Sequence, residues 1–157
     1  MLTLKLAYLY KGLQFYYCTF LLLAQLQKLI DYFSAKITLS EADQAVIREC
    51  FELTQFKRKE HLFEAGKICD RLAFVIEGTI RIYYIDAKGL EHVLYFGFPN
   101  WWVSDIASFS VKEPGMLSAQ AMEKSIVLVV SPTKNNELLE KIPVLERFFR
   151  VLAERHL

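Results

Sequence analysis

The sequence predicts a single, mainly β domain, a sandwich or barrel of short strands with flanking helices. Three observations predict it. From Leu72 to Phe98, runs rich in β-branched and aromatic residues alternate with turn residues: Leu72 to Ile76, Glu77-Gly78, Thr79 to Ile85, Asp86-Ala87-Lys88-Gly89, then His92 to Phe98. That spacing is what antiparallel hairpins need. Ser125 to Ser131 is an apolar run too short for a helix and stopped by Pro132, which suits a buried strand. On either side, apolar residues recur at the three-and-four spacing of one helix face, at Leu26, Leu29, Ile30 and Phe33, and again at Leu145, Phe148, Phe149 and Leu152. A chain of 157 residues closes one core of this kind and is hardly long enough for two.

Met1 to Gln27 opens the chain. Its interval Gly12 to Gln27 is uncharged and dense in Leu, Phe and Tyr, yet it falls short of the roughly 20 apolar residues of a spanning helix and is interrupted by Gln14, Thr19 and Gln25. Lys5 and Lys11 imitate the basic end of a signal peptide, but no small-residue cleavage site follows Leu21 to Ala24. Residues 1–25 are therefore expected to be an extra hydrophobic segment, either an amphipathic or docking segment or residues upstream of the true start, and no membrane partner is expected.

A short surface helix follows from Leu26, and Thr38 to Leu53 forms a second. Ser40 caps it, Glu41 and Asp43 occupy its favourable first turn, and Ala42, Val46, Ile47, Cys50 and Phe51 form its core face. Gln55 to Glu64 switches to the alternating period of one or two strands before a turn at Ala65-Gly66-Lys67. Thr133 to Ile142 reads as a polar-faced helix. Pro143 opens a last helix, with the Leu145 to Leu152 stripe as its apolar face and Val144 and Val151 at the edges. That helix still runs at His156-Leu157 with neither a capping Gly nor a Pro, so the chain is expected to be a piece of a longer one.

Composition excludes several classes. With 54% hydrophobic and 24% charged residues, neither disorder nor a polytopic membrane protein is indicated. The net charge is +1, so no electrostatic footprint for DNA is expected here, and DNA contact would lie elsewhere. Cys18, Cys50 and Cys69 lack any C-x-x-C pattern, which argues against a disulfide framework or a metal cluster and fits a reducing, cytoplasmic setting. His61, His92 and His156 are isolated, so no metal is expected, and no nucleophile elbow, Gly-rich Lys loop or His-Cys spacing suggests an enzyme.

Glu64-Ala65-Gly66-Lys67, Phe74-Val75-Ile76-Glu77-Gly78 and Asp86-Ala87-Lys88-Gly89 stand in the order and spacing of three motifs of one known domain. They look like its first strand turn, its Y-[IV]-[IVL]-x-G strand and its D-x-x-G hairpin. From about Leu26 onward the sequence resembles the cyclic-nucleotide-binding domain of Crp/Fnr-type transcription regulators. The resemblance implies a double-stranded β-helix, a jelly-roll-like β-roll, followed by a C-terminal helix. It divides the chain into 1–25, a β-roll with its helices over 26–142, and the start of a dimerisation helix over 143–157. It further implies a homodimer through Leu145, Phe148, Phe149 and Leu152, and DNA contact through a helix-turn-helix beyond that helix.

In that family a phosphate cassette, approximately G-x-x-[FIV]-G-E-[LIV], is followed about ten residues later by R-[ST]-A, the Glu taking a ribose hydroxyl and the Arg neutralising the cyclic phosphate. Here Asn100 stands at the first Gly, and Trp102-Val103-Ser104-Asp105-Ile106 replaces the core. Ser104 adds bulk where backbone N–H groups must approach the phosphate closely, and Asp105 keeps a carboxylate one methylene shorter. The Arg position falls near Gly115 or Met116, Leu117-Ser118-Ala119 stands where R-[ST]-A would be, and no Lys or Arg occurs from Glu113 to Met122. Losing such a charge-assisted partner costs about 2 to 5 kcal/mol, roughly a 30- to several-thousand-fold loss of affinity. The expected ligand is thus a cyclic nucleotide or another small effector, with ordinary cAMP binding weak or lost, and Lys112 is the nearest cation able to compensate.

Each candidate residue has a plain alternative. Trp101 and Trp102 either stack on a flat ligand or place one ring in the core and one on the surface. Asp105 either binds a sugar hydroxyl or caps the helix beginning near Ile106, and Ser118 either meets an anion or faces solvent from a strand. The Leu145 stripe either meets a second subunit or packs back on its own roll. Two other functions stay open: a cupin-like small-molecule enzyme, and a stand-alone ligand or partner-binding module anchored by Met1 to Gln27.

Overall fold

The computed structural model describes residues 19–156. The expectations for Met1 to Cys18, among them the basic end at Lys5 and Lys11, lie outside the described residues.

Helix α1 covers 19–34 within that range and buries Leu26, Leu29, Ile30 and Phe33, as their spacing predicts. It runs unbroken across 25–26, so the start expected for the domain falls inside a helix. Helix α2 (Glu41–Cys50) opens on a complete capping box. The Asp43 N–H donates to Ser40 Oγ at 3.1 Å and the Ser40 N–H to Asp43 Oδ2 at 2.8 Å. Two details correct the sequence reading. Ala42 is exposed, and α2 stops at Cys50 because the next residues leave for a sheet.

Among the described residues the strands are β1 (Glu52–Phe56), β2 (His61–Phe63), β3 (Leu72–Glu77), β4 (Ile80–Ile85), β5 (Glu91–Gly97), β6 (Trp102–Val103), β7 (Ser118–Ala121) and β8 (Ser125–Val130). They form two antiparallel four-stranded sheets, ordered β1-β8-β3-β6 and β2-β7-β4-β5. Neighbours in the sheets are mostly distant in sequence, the mark of a jelly roll. The first sheet has aromatic residues of α1 on its outer side, with the Tyr32 and Phe74 rings 4.8 Å apart. Cover on both faces explains why β3 and β8 read as continuous apolar runs rather than alternating ones. Ala73, Phe74, Val75, Val127, Leu128 and Ile82 are at or near zero exposure at the centre of the core.

Three short helices complete the fold. Helix α3 (Ile106–Val111) lies in the crossover from β6 to β7, joining one sheet to the other. Helix α4 (Pro132–Lys141) starts at the Ser131 cap, and α5 (Val144–His156) returns Leu145 to the core. Gly78 turns β3 into β4 with a φ of +90°, where an added Cβ would also lie 2.8 Å from the Lys124 carbonyl oxygen. Gly78→Ala is therefore expected to destabilise the domain by more than about 1 kcal/mol, read as a lowered urea midpoint with an unchanged slope.

Candidate functional site

The α3 crossover is laced to the rest of the roll by serines and one carboxylate. Asp105 is the N-cap of α3, as its position predicts, and its Oδ1 accepts the Ser108 N–H at 3.2 Å. Its other oxygen does more than a cap requires. Oδ2 accepts the N–H groups of both Met116 and Leu117, each at 3.1 Å, where the chain leads into β7. The side chain is 5% exposed. Among the partners named here, every donor to this carboxylate is a backbone N–H, the set that also suits a phosphate oxygen.

Ser108 is the second knot. Its hydroxyl accepts from the Cys69 N–H at 2.8 Å and donates to the Glu113 carbonyl at 2.5 Å. Ser104 donates to the Arg71 carbonyl at 3.0 Å, so its hydroxyl is directed toward the start of β3. The strip 112–117 is pinned along 64–69 by Gly66 N–H to Gly115 O (2.8 Å), Gly115 N–H to Lys67 O (3.0 Å) and a bridge between Ile68 and Pro114.

Ser118 does not face solvent. It is 5% exposed, and its hydroxyl accepts the Ala65 N–H at 3.0 Å, which corrects the plain alternative drawn from its strand position. Val103 and Ala119 are fully buried, Leu117 is half-buried, and Ile106 is exposed. Lys112 is exposed in the left-handed C-cap of α3. Two surface clefts, of about 410 and 190 Å³, open elsewhere, the smaller lined by Arg58, Lys59, Arg81 and Gln120. Arg81 is already committed there, to Gln120 Oε1, Glu91 Oε2 and the Tyr83 ring. Among the described residues no group of three or more His, Cys, Asp or Glu is placed to hold a metal ion, and no helix is long and apolar enough to cross a membrane.

A family model for the cyclic nucleotide-binding domain matches residues 53–142, more than half of the chain. The chain belongs to this family. Solved structures with the same fold include transcription regulators and protein kinase A regulatory subunits, all at low identity. The catabolite activator protein of Thermus thermophilus aligns with TM-score 0.68 and 19% identity over 74% of this chain and 55% of its own. The N-terminal domain of a transcriptional regulator from Streptomyces coelicolor A3(2) gives 0.61 and 23% over 75% and 82%. The sensor domain of the regulator DNR from Pseudomonas aeruginosa gives 0.65 and 18% over 83% and 86%. This chain thus spans about half the length of the Thermus protein. No curated protein matches it by sequence.

Within this cyclic nucleotide-binding domain, one non-glycine residue ahead of β6 takes a backbone conformation that favours glycine. Asn100, at the first Gly of the pattern, holds the left-handed φ of +70° that Gly would supply, and Asn is among the residues that tolerate it. Trp102 turns into the aromatic core, with ring centroids 5.0 Å from both Phe74 and Phe149 and 5.8 Å from Phe33, while Trp101 is 41% exposed beside Phe98. That is the arrangement of one ring inside and one outside. The Trp102 indole N–H is buried without a hydrogen bond of full geometry. It is still near enough to Tyr32 to favour the phenolate there, against the larger effect of burial, which raises the Tyr32 phenol.

Sequence reasoning missed Ser108, and it singled out Gly115 only as a position near the absent Arg, not for the space it leaves beside Asp105. Ser108 was findable only as the third residue after a capping Asp; nothing local announces its hydroxyl bonds to Cys69 and Glu113. Burial, and secondarily the negative charge of Asp105, hold the phenol of Tyr95 of β5 above the ordinary tyrosine range. Asp105→Asn is expected to lower the Tyr95 pKa without returning it to that range, because burial remains. An absorbance or NMR titration of the phenol measures this, and an unchanged Tyr95 would show that the carboxylate does not act on it.

Proposed function

We propose that this chain is the effector-sensing and dimerisation domain of a Crp/Fnr-like transcription regulator, non-enzymatic, cytoplasmic, and with weak or no binding of ordinary cAMP. The observation that carries the reading is a cyclic nucleotide-binding fold whose cassette has no Lys or Arg from Glu113 to Met122 and whose acidic residue is bonded to the loop's own backbone. The crossover helix α3 and left-handed Asn100 support a sensing loop at this place. Of the residues first assigned to the ligand, Ser104, Asp105, Ile106, Leu117 and Ser118 remain the candidates at the loop, with Trp102, Val103 and Ala119 behind them in the core.

The domain layout of this proposal keeps 1–25 as the extra segment, 26–142 as the β-roll and its helices, and 143–157 as the start of the dimerisation helix. DNA contact belongs to a helix-turn-helix beyond that helix. Leu145 is fully buried in its own roll, and Phe148 and Phe149 sit 5.3 and 6.1 Å from Phe33. These are the plain alternative contacts, so a second copy would meet the outer edge of the stripe, at half-buried Leu152 and Val151 and exposed Val144.

Calorimetric titration with cAMP is expected to give no saturable heat at micromolar concentrations; a low-micromolar Kd would refute the reading of the cassette. Light scattering is expected to return the mass of a dimer, and a strict monomer at all concentrations would remove the dimerisation role.

A further inference from the structure

An N-cap needs only the Ser108 N–H, yet the Asp105 carboxylate gathers two further donors eleven and twelve residues away. Those two, from Met116 and Leu117, belong to the strand approach, so the short helix does not account for them. One of the two positions near which the pattern's basic side chain falls is equally particular. At Gly115 an added Cβ would run into Asp105 Oδ2 and stand 2.9 Å from Ser108 Cβ and 3.0 Å from Asp105 Cγ. Gly115 has no left-handed φ, so glycine is required there for space and not for backbone freedom. Nor can it swing aside, because its N–H and C=O are both bonded to the strip Gly66-Lys67.

We propose that Asp105 is the specificity-determining residue of this site: its carboxylate is a resident anion that takes the place of a ligand's phosphate, and Gly115 is the space that admits it. The effector of the loop therefore carries no phosphate or other oxyanion at this point. This deepens the sensing role proposed above and rests on it. The missing cation and the carboxylate's turn onto the loop's own N–H groups are one change rather than two. An Arg introduced at Gly115 would meet Asp105 with its Cβ before its guanidinium reached any anion. A second anion would also face the charge already felt at Tyr95.

Removing the carboxylate should leave a cradle that takes a small anion from solution. In Asp105→Ala, formate or inorganic phosphate at tens of millimolar is expected to raise the melting temperature by about 2 to 4 °C relative to chloride at equal ionic strength, with no such gain in the unaltered protein. A folded Asp105→Ala indifferent to both anions would overturn the proposal. Gly115→Ala should lower the melting temperature, and by less when Ala already replaces Asp105; equal losses in the two backgrounds would overturn the part given to Gly115.

Two measurements do not depend on the folding of Asp105→Ala. The amide resonances of Met116 and Leu117 in the unaltered protein are expected to stay in place as phosphate is added, and a saturable shift overturns the proposal. Gly115→Arg is expected to gain no phosphate binding, and a gain overturns it as well. A phosphate shift without any heat from cAMP sinks this inference alone. Heat from cAMP with both amides unmoved sinks the earlier reading alone.

Discussion

The crossover from one sheet to the other depends on a buried carboxylate that has no cation beside it among its hydrogen-bond partners. Asp105 is held by three backbone N–H groups, from Ser108, Met116 and Leu117. A carboxylate with so little water must be compensated, and backbone dipoles compensate it without a counter-ion. Because those N–H groups come from both ends of the crossover, the same bonds that satisfy the charge fix where α3 begins and where β7 is entered. Ser108 and Ser104 then tie this unit to Cys69 and Arg71, at the threshold of the central strand β3.

The residue pair just before this knot belongs to the core. Trp102 lies on Phe74 of β3 and meets Phe33 of α1 and Phe149 of α5 within one aromatic cluster, with Tyr32 and Phe148 at its sides. Edge-on and tilted pairs of this kind add about 0.5 to 1.5 kcal/mol each beyond area burial. The loop is therefore three residues from the surface on which both terminal helices rest, and any shift of β6 must be met by α1 and α5. Close packing makes that connection stiff, since a core has little spare volume to absorb a displaced ring.

Much of this was legible in the residues. The capping box of α2 and the Asp105 cap are local chemistry, written within four residues. Hairpin turns at Glu77-Gly78 and Asp86 to Gly89 follow from backbone conformations few side chains accept; in the second, Asp86 Oδ1 accepts the N–H groups of Lys88 and Leu90. The family resemblance rested on the same local signals in order. Where local periodicity and pairing competed, the sheet prevailed: Glu52 and Leu53 continue the helical pattern of α2 but pair with Val129 and Leu128 of β8.

By itself the sequence determined that this chain is a β-roll with flanking helices, and that no Lys or Arg stands from Glu113 to Met122, because turns, caps, periodicity and charge are properties of short stretches. Only the tertiary structure decided what the Asp105 carboxylate bonds to. Asp105 meets Met116, Leu117 and the empty side of Gly115 across ten or more residues of chain. It also turned Leu145, Phe148 and Phe149 onto the chain's own core and buried Ser118 against Ala65. An apolar stripe or a hydroxyl states what must be covered or bonded, and only the packed fold supplies the partner.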